Sequence, residues 1–236
     1  MRYEAVTLKD AVHLQENSVA AKIVSVFNHK GGVGKTLISM LVAGELARRG
    51  LKVMVIDMDS QGDAVAWLPN APEAKPFPAT VISLASLGEK FVKALAQHAS
   101  EYDVIVVDCP PSDASSVPFA ALVVSDLAVI PVQPTPQERE SVHRALKVVE
   151  DAEARNSALQ WGIVINRFDK RRSVHPIMVA AIKEVTQVSP LATLSERTPY
   201  QEVMLYGGTM RDLPRAKNAV EEVDLLVNEI YKKLEK

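Results

Sequence analysis

The chain reads as a doubly wound α/β fold, a mostly parallel sheet with helices on both faces. Apolar, β-branched runs alternate with stretches whose apolar residues recur every three or four positions, which is how parallel sheets are built. The runs are apolar without interruption, as strands covered on both faces must be. They end in residues suited to ligands, Asp57, Asp59, Asp108 and Asn166, at the strand ends where such sheets place their sites. The 236 residues suffice for one domain over 22–236, preceded by an N-terminal arm over 1–21.

Within the arm, Thr7 to Val19 carries apolar residues at helical spacing and predicts a short helix. It is too short for a helix-turn-helix domain, which needs about three helices. The first strand is Ile23 to Asn28. It runs into Lys30-Gly31-Gly32-Val33-Gly34-Lys35-Thr36, and a helix follows from Leu37 to Arg49. Strand, glycine-rich turn and helix make a phosphate-binding loop. Glycines let several N–H groups face one anion, and the helix N-terminus adds its unpaired amides and partial positive charge. Lys35 has the length to reach β- and γ-phosphates, and a Thr36 hydroxyl suits Mg²⁺. The strict Walker pattern has a glycine where this chain has His29, and the additional Lys30 stands before the glycine pair.

The second strand, Lys52 to Ile56, ends in Asp57-Met58-Asp59-Ser60-Gln61. Four of the fourteen prolines, at 69, 72, 76 and 78, mark the following stretch as a surface loop. A short strand over Thr80 to Leu84 and a helix over Ser86 to Ser100 come next. Tyr102 to Asp108 is a Walker B strand whose aspartate serves Mg²⁺ through its water shell. Cys109 beside it reads as a buried small residue rather than a nucleophile. Further strands are Ser125 to Val132, Leu159 to Asn166 and Pro190 to Leu194. Helices are expected over Gln137 to Ala154, from about Arg197, and over Ala216 to Leu234.

A net charge of −2 excludes a polybasic nucleic-acid binder, so any such contact must be a local patch. Two patches qualify: Arg167, Lys170, Arg171 and Arg172 on one loop, and Arg211, Arg215 and Lys217 before the last helix. Either is a solvated face or a phosphate-backbone contact. A single cysteine excludes an internal disulfide and a Cys-only metal site. No run approaches the ~18 apolar residues of a membrane span, and the N-terminus lacks a signal-peptide core, so a cytoplasmic protein is expected.

Three motifs together, Lys30-Gly31-Gly32-Val33-Gly34-Lys35-Thr36, Asp57-x-Asp59-x-Gln61 and Asp108-x-Pro110-Pro111, resemble the ParA/MinD family of deviant Walker A ATPases. The resemblance covers residues 22 to about 235, and Trp67 resembles its short plasmid-type branch. It implies ATP and Mg²⁺ as ligands, with Lys30, Gly31, Gly32, Val33, Gly34, Lys35, Thr36 and Leu37 on the phosphates. Leu37 stands where many relatives carry a hydroxyl for the α-phosphate. The resemblance further implies Asn166 and Pro199 at the adenine, and Thr36, Asp57 and Asp108 at the metal. Asp59 would place the attacking water. Lys30 would reach across an ATP-bound homodimer to the partner's phosphates, much as an arginine finger does.

Family partners would be non-specific DNA and a centromere-binding, ParB-like adaptor that stimulates slow basal hydrolysis. The leading expectation is therefore plasmid or chromosome segregation, with the ATP form on the nucleoid. The alternatives are positioning of a protein cargo, a MinD-like membrane regulator, and a metabolic phosphate-transfer enzyme resembling dethiobiotin synthetase. The last helix carries Glu221, Glu222, Asp224 and Glu229 on its polar positions, which argues for packing on the domain rather than membrane association.

Overall fold

The computed structural model describes residues 21–111 and 115–235; the helix expected within the arm lies outside them. Seven strands form one parallel sheet in the order β3-β2-β4-β1-β5-β6-β7. They are β1 Lys22–Val26, β2 Val53–Asp57, β3 Thr80–Ser83, β4 Val104–Asp108, β5 Leu127–Val132, β6 Gln160–Phe168 and β7 Ala192–Ser195. Among the described residues seven α-helices accompany them: α1 Lys35–Arg48, α2 Phe91–His98, α3 Val117–Val123, α4 Glu138–Glu153, α5 Val174–Thr186, α6 Thr198–Tyr206 and α7 Lys217–Leu234.

Side chains of successive strand residues divide between two cores. Ile23, Ile56 and Ile105 join α2, α3, α4 and α5 on one face. Val24, Val55 and Val106 join α1, α6 and α7 on the other. This period-two division is why the central strands carry apolar residues on both faces, as in Val53–Ile56 and Val104–Val107. The apolar stripe of α7, Val223, Leu226, Val227, Ile230 and Leu234, is buried against the sheet. Chain direction across the sheet reverses around β1, which lies between β4 and β5, and the crevice outside that reversal is where open α/β sheets bind ligands.

Three local departures from the sequence reading have physical causes. The helix expected from Ser86 begins as a 3₁₀ segment, Ala85–Lys90, broken at Gly88 by φ 52°. Regular α geometry starts only at Phe91. Strand β6 does not stop at Asn166; it continues to Phe168 through a register irregularity, with Arg167 at φ 55°. Helices α3 and α5 were not legible: α3 is seven apolar residues with no polar face, and α5 exposes Val174 and Ile177, which blurs its stripe.

Candidate nucleotide site at the end of the first strand

The loop after β1 is fixed from three sides. Asn28, fully buried, donates to the Pro131 carbonyl at 2.6 Å and accepts from the Lys30 amide at 3.1 Å and from Ser141 at 2.7 Å. Gln133 donates to the Gly32 carbonyl at 2.9 Å. Asn166 donates to the Val33 carbonyl at 2.8 Å. A loop held this way keeps its amides aimed without reorganisation when an anion arrives. Gly34, at φ 100°, starts α1, a backbone conformation that a β-carbon disfavours. A Cβ there would also lie 2.2 Å from Asn166 Nδ2. Gly34→Ala is therefore expected to abolish nucleotide binding, measured by titration with a fluorescent ATP analogue.

Lys35 is buried, its Nζ donating to the Lys30 carbonyl at 3.3 Å. Burial draws its pKa down, opposed first by the charge of Asp108. Thr36 and Ser39 donate to the two oxygens of Asp108 at 2.7 and 2.9 Å. Asp108 is 1% exposed, and burial pushes its carboxyl up to about 7 despite those two hydroxyls. Asp57 faces Asp108 across the β2–β4 pairing. Its oxygens accept the amides of Asp59, Ala64 and Val65 at 3.0 to 3.2 Å, and burial raises its pKa. Asp59, half-buried, accepts the Gln61 amide at 3.0 Å.

A hydroxyl and two adjacent carboxylates beside a phosphate loop are a hard-oxygen donor set, and Mg²⁺ commonly takes one or two carboxylates, phosphates and water. The residues present therefore fit that ion. Cys109 is buried and its thiol is pushed up by that burial, which makes it inert.

Several of the expected site residues have defined surroundings in the structure. Leu37 is buried in the α1 face of the core, so only its backbone amide is left for a phosphate. Asn166 is 1% exposed, its amide donating to the Val33 carbonyl and its Oδ1 accepting from the Arg167 amide; it holds the loop. Arg211 does not join a basic stripe, because its guanidinium is held by Glu45, at 3.0 Å, and by Asp224. In the other patch, Arg171 is paired with Asp169 at 2.9 Å, and Arg172 bridges Asp169 and Glu196.

Arg167 and Lys170 are exposed and have no ion-pair partner among the described residues. Pro199 opens α6 and lines a surface groove of about 410 Å³ with Arg197, Arg215 and Lys217. Asn28, Ser39, Gln133 and Glu138 were not anticipated. They lie outside the motifs, and only the Asn ending a strand and the Gln after β5 hinted at a role.

A family model, the CobQ/CobB/MinD/ParA nucleotide binding domain, matches residues 24–209. The chain belongs to this family. Within the CobQ/CobB/MinD/ParA family it is similar to the maintenance of carboxysome distribution protein A of Halothiobacillus neapolitanus, 28% identical over 88% of this chain and 95% of that protein. It is similar also to ParA of Rhizobium radiobacter, 26% identical over 90% of this chain and 97% of that protein. Among solved structures, an ATP complex of a Cyanothece McdA variant superposes with a TM-score of 0.74 at 18% identity, covering 90% of this chain and 97% of the other. The cell division ATPase MinD of Pyrococcus furiosus gives 0.73 at 20% identity, over 90% and 99%. These likenesses establish the P-loop fold, a parallel sheet wrapped by helices.

Proposed function

We propose that this chain is an ATPase whose ATP-bound homodimer binds DNA without sequence preference and distributes a cargo over the nucleoid. The observation that carries the reading is the contrast between two lysines of one loop. Lys35 is buried within its own site, whereas the Lys30 side chain is 43% exposed at the rim. An inward cation serves the nucleotide of its own chain; an outward one is available to a second copy.

In this reading the amides of 31–37 and Lys35 cradle the phosphates. Thr36 and Asp108, with Asp57 behind them, would hold a Mg²⁺, which when bound would neutralise phosphate charge. Asp59 orients water for attack on the γ-phosphate. Such transfer needs mainly alignment and charge stabilisation, so one placed carboxylate is enough. Pro199 flanks the base. Residues 22–236 form the ATPase unit, preceded by 1–21.

The cargo divides the proposal. Partition of a plasmid or chromosome through a ParB-like adaptor is the first reading, in keeping with the Rhizobium ParA. Positioning of a protein assembly is the second, favoured by the Halothiobacillus relative, whose name assigns it to carboxysome distribution. A membrane role is disfavoured by α7, whose apolar face is used within the domain. Among the described residues no helix is long and apolar enough to cross a membrane.

The test is binding of the purified protein to unrelated duplexes with ADP or ATP at two salt concentrations, before and after Lys30→Ala. Binding that requires ATP, ignores sequence, weakens steeply with salt and disappears in the variant is the expected result. Absence of DNA binding in every state would overturn both readings. The stimulating adaptor then separates them: one that binds repeated DNA sites supports partition, and one that binds a protein assembly supports positioning.

A further inference from the structure

We propose that Glu222 on α7 is a positioning residue for the nucleotide's base, its carboxylate holding residues 196–199 in the conformation that receives that base. The inference rests on the reading that Pro199 flanks the base, and adds what holds Pro199 in place.

Glu222 lies in the first half of α7, its side chain 15% exposed. Its Oε1 accepts from the Ser195 hydroxyl at 2.7 Å and from Arg197 Nε at 3.1 Å. Its Oε2 accepts from the Ser195 amide at 2.9 Å and from the Tyr200 hydroxyl at 2.7 Å. These donors bracket the segment that carries Pro199. Ser195 ends β7, Arg197 caps α6, and Tyr200 lies in the first turn of α6. A chain tied at 195, 197 and 200 has little freedom left at 198 and 199.

The segment has few other holds. Glu196 and Thr198 are exposed, and with Pro199 they line the open groove of about 410 Å³. Arg197 is extended, at φ −136° and ψ 144°, and its side chain makes no capping bond to α6. The Glu196 amide donates to the Phe168 carbonyl at 2.7 Å, a tie that stops short of Pro199. Glu222 itself stands on firm ground, because Val223 and Leu226 beside it are buried in the core. A loose segment would have to be ordered when the base arrives, whereas one already held spares that cost.

The site calls for a carboxylate. Each of these bonds is accepted by Glu222, and an ionised carboxylate accepts only, at both oxygens. Glu222→Gln keeps the volume but turns an NH₂ group toward two donors, whichever oxygen it replaces. The test compares Mg-ATP with inorganic tripolyphosphate, which offers the phosphate loop its charge and carries no base, by isothermal titration. In Glu222→Gln the preference for ATP over tripolyphosphate is expected to fall about tenfold, through weaker ATP binding at unchanged tripolyphosphate affinity. A merely structural role would weaken both ligands alike or neither, and either outcome overturns the proposal. Tyr200→Phe removes one donor and keeps the packing, and it should lower the same preference about threefold. Should Glu222→Gln fail to fold, an unchanged preference in Tyr200→Phe would overturn the proposal in its place. Pro199→Ala separates this inference from the reading beneath it. A preference lost in Pro199→Ala but kept in Glu222→Gln leaves the base at Pro199 and overturns the role of Glu222 alone. A preference unchanged in both variants removes the base from Pro199, and this inference falls with it.

Discussion

Lys35→Ala is expected to bring ATP hydrolysis down by about a hundredfold or more, the effect of deleting one preorganised charge-stabilising donor, while leaving the fold intact. Lys35 lies at the floor of the loop with its ammonium on the Lys30 carbonyl. In the proposed reading it is the cation of the chain's own loop that meets the transferring phosphoryl group. Its removal has little reason to unfold the protein. Burial already disfavours its charged form, so at neutral pH the ammonium subtracts from stability, and Asp108 keeps its bonds from Thr36 and Ser39. Calorimetry should place the variant within about 1 kcal/mol of the unmodified chain. Asp59→Asn makes the contrast: nucleotide binding retained, turnover lost. A Lys35→Ala protein that still hydrolyses ATP at the original rate would mean that this loop is not the catalytic one.

The sheet and the phosphate loop were legible because each left a local signature. Continuous apolar runs such as Val104 to Val107 can only be strands covered on both sides, and Gly31, Gly32 and Gly34 before a helix have few structural reasons other than an anion. What failed to show was long-range. Asn28, Gln133 and Asn166 brace the loop from β1, β5 and β6, and no spacing rule announces which polar residue at a strand end will point at a loop 133 residues away in sequence. The same holds for charge. Arg211 and Arg215 look equivalent in the sequence, yet the first is enclosed by carboxylates and the second lines an open groove.

Glu45→Gln is expected to lower stability by about 3 kcal/mol at neutral pH, and Arg211→Ala by a smaller amount through the same contact. Glu45 is 5% exposed on α1 and accepts from Arg48 at 2.8 Å, Arg49 at 3.0 Å and Arg211 at 3.0 Å. Burial alone would raise its pKa; the hydrogen bonds from Arg48, Arg211 and Arg49 overcome this and hold it at about 2, against an ordinary 4.5. That difference corresponds to about 3 kcal/mol, or roughly 6–12 °C in the melting temperature of a domain this size. Because the folded value lies below the unfolded one, the contribution is whole above about pH 4.5 and is lost as pH falls through about 2. The melting temperatures of variant and unmodified protein should converge over that interval. Through Arg211, in the turn before α7, this carboxylate ties α1 to α7, whose Asp224 takes the other side of the same guanidinium. Arg211→Ala should therefore cost stability and leave the salt dependence of DNA binding unchanged. Arg167→Ala or Lys170→Ala, each removing an exposed cation without an ion-pair partner among the described residues, should leave stability unchanged and reduce the salt slope by about one. If Arg211→Ala instead weakened DNA binding at an unchanged melting temperature, the ion-pair hub would not be what holds these helices together, and the second basic cluster would return as a nucleic-acid contact.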